Sequence, residues 1–259
     1  MKEIIINFEP PISTITLNRP DDLNRLTTES MAVLGEYITG LRLNNDVQAV
    51  VITGAGDQIF SAGLLNPEIR SQMSKDEVIA FVRLANKVFD DLAALPQIVI
   101  AAINGDIFAG AVELALACDI RTAADDIILS MPEAKWGGFP GAGGPHRLAM
   151  VVGHARALEL ICTGREVTAS ELLEYGIVQT LHPRTKLLNA ARSMAKQIGE
   201  NGPLATRGTK RILRTRRAPG FDEARILSDD LRTLLEWSDD VDEGMAAHRE
   251  GRKPNFSGR

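Results

Sequence analysis

Two glutamates, Glu113 and Glu133, are the residues whose neighbours best suit them to acid–base chemistry. Glu113 interrupts the apolar run FAGAVELALACDI, residues 108–120. A carboxylate buried in such a run is costly, so its pKa should rise or it should find a partner. Glu133 follows Pro132, which cannot donate a backbone hydrogen bond and should end a strand. Sites in open α/β sheets form at strand ends and helix starts, so both carboxyls are candidate catalytic groups.

Both glutamates also fit structural roles. The helix macrodipole favours a glutamate in the first turn of a helix, where Glu113 would reach solvent at the rim. Glu133 would then be a solvated loop residue. The two residues alone do not decide between these roles, so the surrounding sequence has to be considered.

The composition is that of a globular protein and excludes few functions. The chain has 259 residues, of which 44% are hydrophobic and 24% charged, enough for one large domain or a domain with an appendage. The net charge of -5 gives no overall footprint for nucleic acid, although a local basic patch is compatible with it. Cys118 and Cys162 lie in apolar surroundings and are predicted to be reduced core thiols. The histidines are scattered, without HExxH or CxxC motifs, so no metal site is expected.

The hydrophobic segments are too short or too interrupted for a membrane. The apolar run in the N-terminal segment MKEIIINFEPP is shorter than that of a signal peptide. The longest apolar stretch, 98–120, is broken by polar and charged residues and should not span a bilayer. We therefore expect a cytoplasmic protein without a membrane partner.

Short apolar runs alternate with helical periodicity, which predicts an α/β core. Strands are predicted at 2–8, 12–18, 47–53, 97–103, 119–124 and 127–131. Helices are predicted at about 29–43, after Thr27 or Thr28 as the cap, and at 75–94 and 110–118. After Gly144 the chain should be mainly helical, apart from a short strand near 178–181. Breaker residues at 200–203 divide a core, 1–200, from a C-terminal region, 201–259, with about four further helical stretches.

Two glycine clusters match phosphate-binding loops only weakly. Gly54-Ala55-Gly56 follows a strand, but the third glycine of a dinucleotide fingerprint would fall at Ile59. The cluster at 141–144 follows a proline and lacks the lysine of a P-loop. A nucleotide cofactor is therefore not expected.

An ordered series of sequence blocks resembles the crotonase superfamily and, within it, the enoyl-CoA hydratases. The blocks are ITLNRP at 15–20, LN at 23–24, VITG at 51–54, FSAG at 60–63, ING at 103–105, ELALACDI at 113–120, PE at 132–133, PGAGG at 140–144, RL at 147–148, EGM at 243–245 and RKPNF at 252–256. The set covers essentially the whole chain. The resemblance implies the α/β crotonase fold (ClpP/crotonase-like), a spiral of ββα units followed by a C-terminal helical layer.

The resemblance also implies an active site. The backbone N–H groups of Leu64 and Gly110 correspond to an oxyanion hole, which would stabilise the enolate-like oxygen of a thioester. Glu113 and Glu133 correspond to the two acids of hydration. We expect Glu113 to activate the water and Glu133 to protonate Cα. The N–H of Gly141 corresponds to a position near that water.

No cofactor is implied beyond the CoA part of the substrate. The resemblance implies contacts with CoA from these residues: Arg25, Leu26, Ser61, Ala62, Leu64, Lys253 and Phe256. The first two would lie near the phosphates and the adenine, and the last two would close over CoA from a neighbouring subunit. Members of the family form homotrimers, or hexamers as dimers of trimers, through the C-terminal helices, and the same is expected here.

The sequence departs from the family pattern around the acyl pocket. Ala109-Gly110-Ala111 replaces the usual three glycines, and Leu64-Leu65 replaces the usual Ala-Asp. Asp106, Phe108 and Trp136 are candidates to shape the same pocket. The departures leave the acyl group open, and a straight, branched, cyclic or aromatic chain is compatible with the sequence.

Two other functions fit the same residues. A double-bond isomerase or a C–C hydrolase would use the same oxyanion stabilisation, but family isomerases often keep only one acid, so the two glutamates favour hydration. A non-catalytic RNA-binding or assembly module is the other alternative, because positions 207, 210, 214 and 217 of the basic stretch 206–217 share one helical face. Such a stripe is more typical of a solvated or interface face, so no nucleic-acid partner is expected.

Overall fold

The fold, seen in a computed structural model that describes residues 2–215 and 221–256, is built from repeated ββα units. An antiparallel hairpin of β1 (Ile4–Glu9) and β2 (Ile12–Leu17) comes first. Three strand pairs follow: β3 (Ala49–Gly54) with β4 (Ile59–Ser61), β5 (Ile98–Ile103) with β6 (Asp106–Phe108), and β7 (Ile120–Ala124) with β8 (Ile128–Ser130). The first strand of each pair joins one sheet and the second joins another, so the chain spirals between the two sheets.

The two sheets differ in size. The larger has six strands in the order β1-β2-β3-β5-β7-β10, and the smaller has four in the order β4-β6-β8-β9; β9 is Val167–Thr168 and β10 is Thr180–His182. From β2 onward the larger sheet is parallel, and β3 is buried along its whole length. Such burial on both faces is typical of a parallel strand covered by helices. Asn104 joins two of the inter-sheet turns, because its Oδ1 accepts from Gly54 N at 2.9 Å and its Nδ2 donates to Gly56 O at 2.9 Å.

Helices cover both sheets. They are α1 (Thr28–Leu41), α2 (Pro67–Arg70), α3 (Lys75–Ala93), α4 (Gly110–Ala117), α5 (Gly144–Val152), α6 (His154–Thr163), α7 (Ala169–Glu174), α8 (Arg184–Gly199), α9 (Pro203–Thr215), α10 (Phe221–Glu236) and α11 (Asp239–Glu250). Capping boxes begin three of them, at Thr27, Ser74 and Thr168, where a side chain accepts from a backbone N–H that has no partner within the helix. A 3-10 helix, Pro132–Trp136, connects β8 to the loop before α5.

The predicted elements before α5 are confirmed, and their ends lie within two residues of the prediction. The short strands β4, β6 and β9 were not predicted, because two or three residues carry no readable periodicity. Three helices, instead of about four, follow the breaker at 200–203 in the described part of the chain. Cys118 is buried as predicted, but the prediction for Cys162 is wrong: it is exposed, about 100° around α6 from the buried Ile161.

The basic face of α9 contacts the protein itself. Lys210 Nζ donates to Gln97 O at 2.7 Å and pairs with Asp119 Oδ2 at 2.5 Å. Arg207 donates to Asn45 Oδ1 at 2.9 Å. The predicted stripe therefore attaches α9 to the core over these residues, while positions 216 and 217 lie outside the described residues. Every helix in the described ranges is too short or too polar to cross a membrane.

Candidate active site

The N–H groups of Leu64 and Gly110 belong to two backbone segments in close contact. A methyl group added at Gly63 would lie 2.8 Å from Gly110 N, and one added at Gly110 would lie 2.6 Å from Leu64 Cγ. Gly110 begins α4, so its N–H has no acceptor within that helix. Neither N–H donates a hydrogen bond to any residue that the structure describes. The pair can therefore stabilise an anion, with the α4 dipole adding to the attraction.

Ala109 precedes this donor and has a backbone conformation that alanine rarely adopts. Its φ is 51° and its ψ is -127°. The N–H of Ala109 donates to Ser130 O at 3.0 Å, which holds the turn between β6 and α4 against β8. An alanine thus occupies a position of positive φ, where a glycine would be unstrained, and the turn keeps its shape at a cost of about 1–3 kcal/mol.

Glu113 lies in the first turn of α4 and is 2% exposed. Its Oε1 accepts hydrogen bonds from Ala142 N at 2.8 Å and from Gly144 N at 2.7 Å. A methyl group at Gly144 would lie 3.0 Å from this oxygen, so the glycine lets the backbone approach the carboxylate. Glu113 therefore lies inside the protein and not at a solvated helix rim.

The loop that donates to Glu113 is anchored on both sides. Asn86 Nδ2, buried on α3, donates to Gly141 O at 2.6 Å. Arg147, on α5, donates from Nη1 to Ala142 O at 2.9 Å. Gly143, which follows Ala142 in this loop, has a φ of 106°, and a methyl group added there would lie 1.8 Å from Arg147 Nη1. The loop therefore requires glycine at this position.

Glu133 lies in the 3-10 helix Pro132–Trp136, on the other side of the same pocket. Its Oε2 is buried and has no hydrogen-bond partner among the described residues. Gly138 N donates to the backbone carbonyl of Glu133 at 2.9 Å. This bond holds the turn through the main chain and does not involve the carboxyl group.

The two carboxyls differ in what stabilises their ionised forms. Burial raises the pKa of Glu113 to about 7, and the N–H bonds from Gly144 and Ala142 oppose that rise. Burial, followed by the charge of Glu113, raises the pKa of Glu133 to about 8. Because only Glu113 accepts backbone hydrogen bonds from the loop, it ionises first, and Glu133 keeps the proton. The pair can thus present one base and one acid at the same pH.

Both glutamates line a narrow cavity of about 50 Å³. The backbone of Gly110 and the side chain of Leu64 border it, and so does Gly141. Its remaining walls are partly apolar and partly charged: Leu65, Asn66, Arg70, Val82, Ala109, Trp136, Gly138, Phe139, Ala142, Arg232 and Met245. The arrangement brings an anion-stabilising pair of donors and an acid–base pair into one cavity.

The chain matches known proteins over nearly its whole length. A family model described as enoyl-CoA hydratase/isomerase matches residues 7–259. The chain belongs to the enoyl-CoA hydratase/isomerase family. YngF of Bacillus subtilis (strain 168), whose name places it with the enoyl-CoA hydratases and isomerases, is 37% identical over 252 residues and 95% of each chain. The short-chain-enoyl-CoA hydratase of Clostridium acetobutylicum is 32% identical over 98% of this chain and 97% of its own.

The fold of this enoyl-CoA hydratase/isomerase family member agrees with the sequence match. The crystal structure of an enoyl-CoA hydratase from Bacillus anthracis superposes with a TM-score of 0.80 at 33% identity, over 100% of both chains. The predicted crotonase fold is thereby confirmed. The protein is therefore an enzyme of the crotonase type, in a family named for reactions of enoyl-CoA thioesters.

The structure collects five predicted residues of this family member at the cavity: Leu64, Gly110, Glu113, Glu133 and Gly141. Of the three candidates to shape the acyl pocket, Trp136 lines the cavity, whereas Asp106 and Phe108 do not. Asp106 Oδ1 instead accepts from Ile128 N at 3.0 Å, which ties β6 to the start of β8. Asp106 does not line the cavity because it begins β6, where the chain enters the second sheet.

The predicted CoA residues fall into two groups. One group lies together, because Leu26 N donates to Gly63 O at 2.9 Å and Ala62 N donates to Leu23 O at 2.9 Å. These bonds hold the segment of Arg25 and Leu26 beside Ser61 and Ala62. Lys253 and Phe256 form the other group, after α11; both are exposed, and neither lines the cavity.

Several site residues were missed by the sequence analysis. They are Ala142 and Gly144, which hold Glu113; Asn86 and Arg147, which anchor the loop; and Arg70, Arg232 and Glu236, which form a buried charged cluster at the cavity. The glycine cluster at 141–144, which belongs to the family block PGAGG, was a signal for the first two, but only Gly141 within it was predicted to lie at the site. Asn86 and Arg70 carried no local signal, because their partners Gly141 and Glu236 lie more than 50 residues away. Arg147 lies five residues from Ala142 and Arg232 four residues from Glu236, but neither spacing by itself indicates a site.

Proposed function

We propose that the protein is an enoyl-CoA hydratase, a carbon–oxygen lyase that adds water across the double bond of a 2-enoyl-CoA thioester. The observation that carries the proposal is one cavity with two carboxyls of different pKa beside two main-chain donors that have no acceptor among the described residues. An isomerase needs to move one proton between two carbons, whereas hydration needs a base for water and an acid for carbon. Two acids in separate settings suit the second reaction.

In the proposed reaction, the Glu113 carboxylate takes a proton from water as the water oxygen bonds to Cβ. The C=C electron pair moves towards the thioester, and negative charge develops on its carbonyl oxygen. The N–H groups of Leu64 and Gly110 stabilise that charge. Glu133 then gives its proton to Cα, and a later proton exchange restores the starting forms of the two carboxyls. In dehydration the two roles reverse.

The substrate is proposed to bind through its CoA part, and no further cofactor is proposed. Arg25 supports a phosphate contact through Nη1, which is buried and has no hydrogen-bond partner among the described residues, whereas its Nε pairs with Asp22 Oδ1 at 3.5 Å. Ser61 and Ala62 lie next to it through the paired segments described above. Closure over CoA by Lys253 and Phe256 of a neighbouring subunit, a homotrimeric or hexameric assembly, and a cytoplasmic location are further parts of this proposal.

The experiment is an assay of purified protein on 2-enoyl-CoA substrates of several chain types, measured as loss of the conjugated thioester absorbance. Hydration of at least one substrate is expected. Inactivity on all of them, with CoA thioesters still bound in calorimetry, would reject hydration. A parallel assay of Glu113→Gln and Glu133→Gln on 3-enoyl-CoA substrates tests the isomerase alternative, which would depend on one glutamate much more than on the other.

A further inference from the structure

Two buried arginines line the cavity that holds the glutamates. Arg70, in α2, is 9% exposed, and Arg232, in α10, is 6% exposed. A methyl group added at Gly138 would lie 3.4 Å from Arg232 Nη1 and 3.9 Å from Arg70 Nη1. The two guanidinium groups therefore converge on the cavity wall at Gly138.

The arginines share a single carboxylate. Arg232 Nη2 donates to Glu236 Oε2 at 3.0 Å, and Arg70 pairs with the same oxygen. Glu236 is 2% exposed, so the cluster is a buried group of two cations and one anion. Buried charges are normally paired, and an excess cation in such a place indicates a missing anion.

The catalytic pair does not supply that anion by direct contact. Neither Arg70 nor Arg232 forms an ion pair with Glu113 or Glu133 in the described part of the chain. Arg232 Nε is buried and has no hydrogen-bond partner among the described residues. Burial lowers the pKa of Arg232, and the charge of Arg70 lowers it further. The charges of Glu236, Glu113 and Glu133 oppose that fall without reversing it. The guanidinium groups thus keep donors and positive charge that a bound anion would satisfy.

We propose that the acyl group of the substrate ends in a second carboxylate, which Arg70 and Arg232 bind beside Gly138. This inference rests on the proposed function and names its substrate class. The substrates are short unsaturated dicarboxylic acids that carry CoA on one carboxyl, with the double bond next to that thioester. The apolar side chains of Leu65, Val82 and Met245 line the cavity with the arginines and would contact the carbon chain. The narrowness of the cavity favours a short chain.

Binding tests the carboxylate preference without requiring a reaction. The probes are glutaryl-CoA and 5-methylhexanoyl-CoA, two saturated thioesters in which a carboxylate and an isopropyl group of similar shape end the chain. Calorimetry on the full-length protein should show glutaryl-CoA binding at least about 10-fold more tightly, because only its carboxylate can accept charge-assisted hydrogen bonds from the guanidinium groups. Equal affinities would overturn the inference.

Variants assign the preference to the arginines. Arg232→Met and Arg70→Met should each lower the ratio of the two affinities about 10-fold or more, and Arg232→Lys should recover part of it, because it keeps the charge but not the fork of donors. Gly138→Ala should lower the ratio with both arginines intact, since its methyl group lies at their Nη1 atoms. Arg156→Met, at an exposed arginine of α6, is the matched control and should leave the ratio unchanged.

Hydration of the unsaturated pair, glutaconyl-CoA and 5-methylhex-2-enoyl-CoA, separates this inference from the proposed function. A binding preference without hydration of either compound, or of any substrate in the wider 2-enoyl-CoA assay, would reject the hydratase and retain the carboxylate site. Hydration of both compounds with equal kcat/KM would overturn the inference if no arginine variant changed the ratio of the two kcat/KM values. The arginines would then only balance charge within the pocket. Thermal unfolding followed by circular dichroism identifies any variant that fails to fold.

Discussion

The two walls of the cavity are built in different ways. The core wall, defined by Leu64, Gly110 and Glu113, comes from the loop after β4 and from α4, and its polar contacts are mostly with the main chain. The outer wall, defined by Arg70 and Arg232, comes from two helices outside the sheets, and both side chains pair with the buried carboxylate of Glu236. One wall provides positions for backbone groups and the other provides charge.

The difference has a physical consequence for substitution. A backbone donor survives a change of its own side chain, so leucine at position 64 still presents an N–H. A side-chain charge does not survive, and removing one member of a buried charged cluster leaves the others uncompensated. We therefore expect the core wall to set the reaction and the outer wall to set which acyl group is accepted.

The largest expected effect is on the core wall, at its carboxylate. Glu113→Gln should lower kcat about 10²–10⁴-fold, because glutamine cannot accept the proton of water, while its amide oxygen can still accept from Ala142 and Gly144. Steady-state kinetics on a 2-enoyl-CoA substrate measures the loss. Glu174→Gln, at an exposed glutamate of α7, is the control. Near wild-type turnover in Glu113→Gln would remove Glu113 from the reaction.

A change in the donor pair should have a slightly smaller effect. Gly110→Ala adds a methyl group 2.6 Å from Leu64 Cγ, so one of the two backbone segments has to move. We expect kcat to fall about 10²–10³-fold, the range for loss of one oxyanion donor. The matched control is Gly208→Ala in α9, where an added methyl group contacts nothing within 4 Å. Equal activity of the two variants would contradict a catalytic role for the pair.

The outer wall should respond in stability. Glu236→Gln leaves two buried guanidinium groups without their carboxylate, so the free energy of unfolding should fall by about 3 kcal/mol. Denaturant titration measures the change. Glu250→Gln, in an exposed ion pair with Arg252, should change it by less than about 1 kcal/mol. If both variants lost equally little, the charge cluster would not be a tightly coupled buried group.

The smallest expected effect is the pH dependence of kcat. Glu113 has to be ionised and Glu133 protonated, so the rate should rise with pH up to the pKa of about 7 and fall above the pKa of about 8. Outside these limits it should change about tenfold per pH unit, and the two apparent values belong to the coupled pair. The residual kcat of Glu133→Gln should no longer fall at high pH. A rate that stays flat from pH 6 to pH 9, an interval of about three units that spans both limbs, would contradict the assignment.

Much of the core wall could be predicted from the sequence. Short apolar runs bounded by turn residues predicted β1 to β3, β5, β7 and β8, and capping residues predicted the start of α1. The family blocks pointed to Leu64, Gly110, Glu113 and Glu133, all of which the structure places at one cavity. The backbone donors of Ala142 and Gly144 lie inside a glycine cluster that is visible in the sequence, but their hydrogen bonds to Glu113 were not predicted.

Local pattern and ordered blocks in the sequence thus determined the type of most elements, the fold and the pair of glutamates, because these depend on periodicity, turn residues and spacing along the chain. Tertiary structure alone decided that Glu113 is buried with two backbone donors from the loop, that Glu133 Oε2 has no partner among the described residues, and that Arg70 meets Arg232. Arg70 and Arg232 are 162 positions apart and lie on separate helices. No local pattern encodes such a meeting, since it depends on how helices pack around the finished sheets.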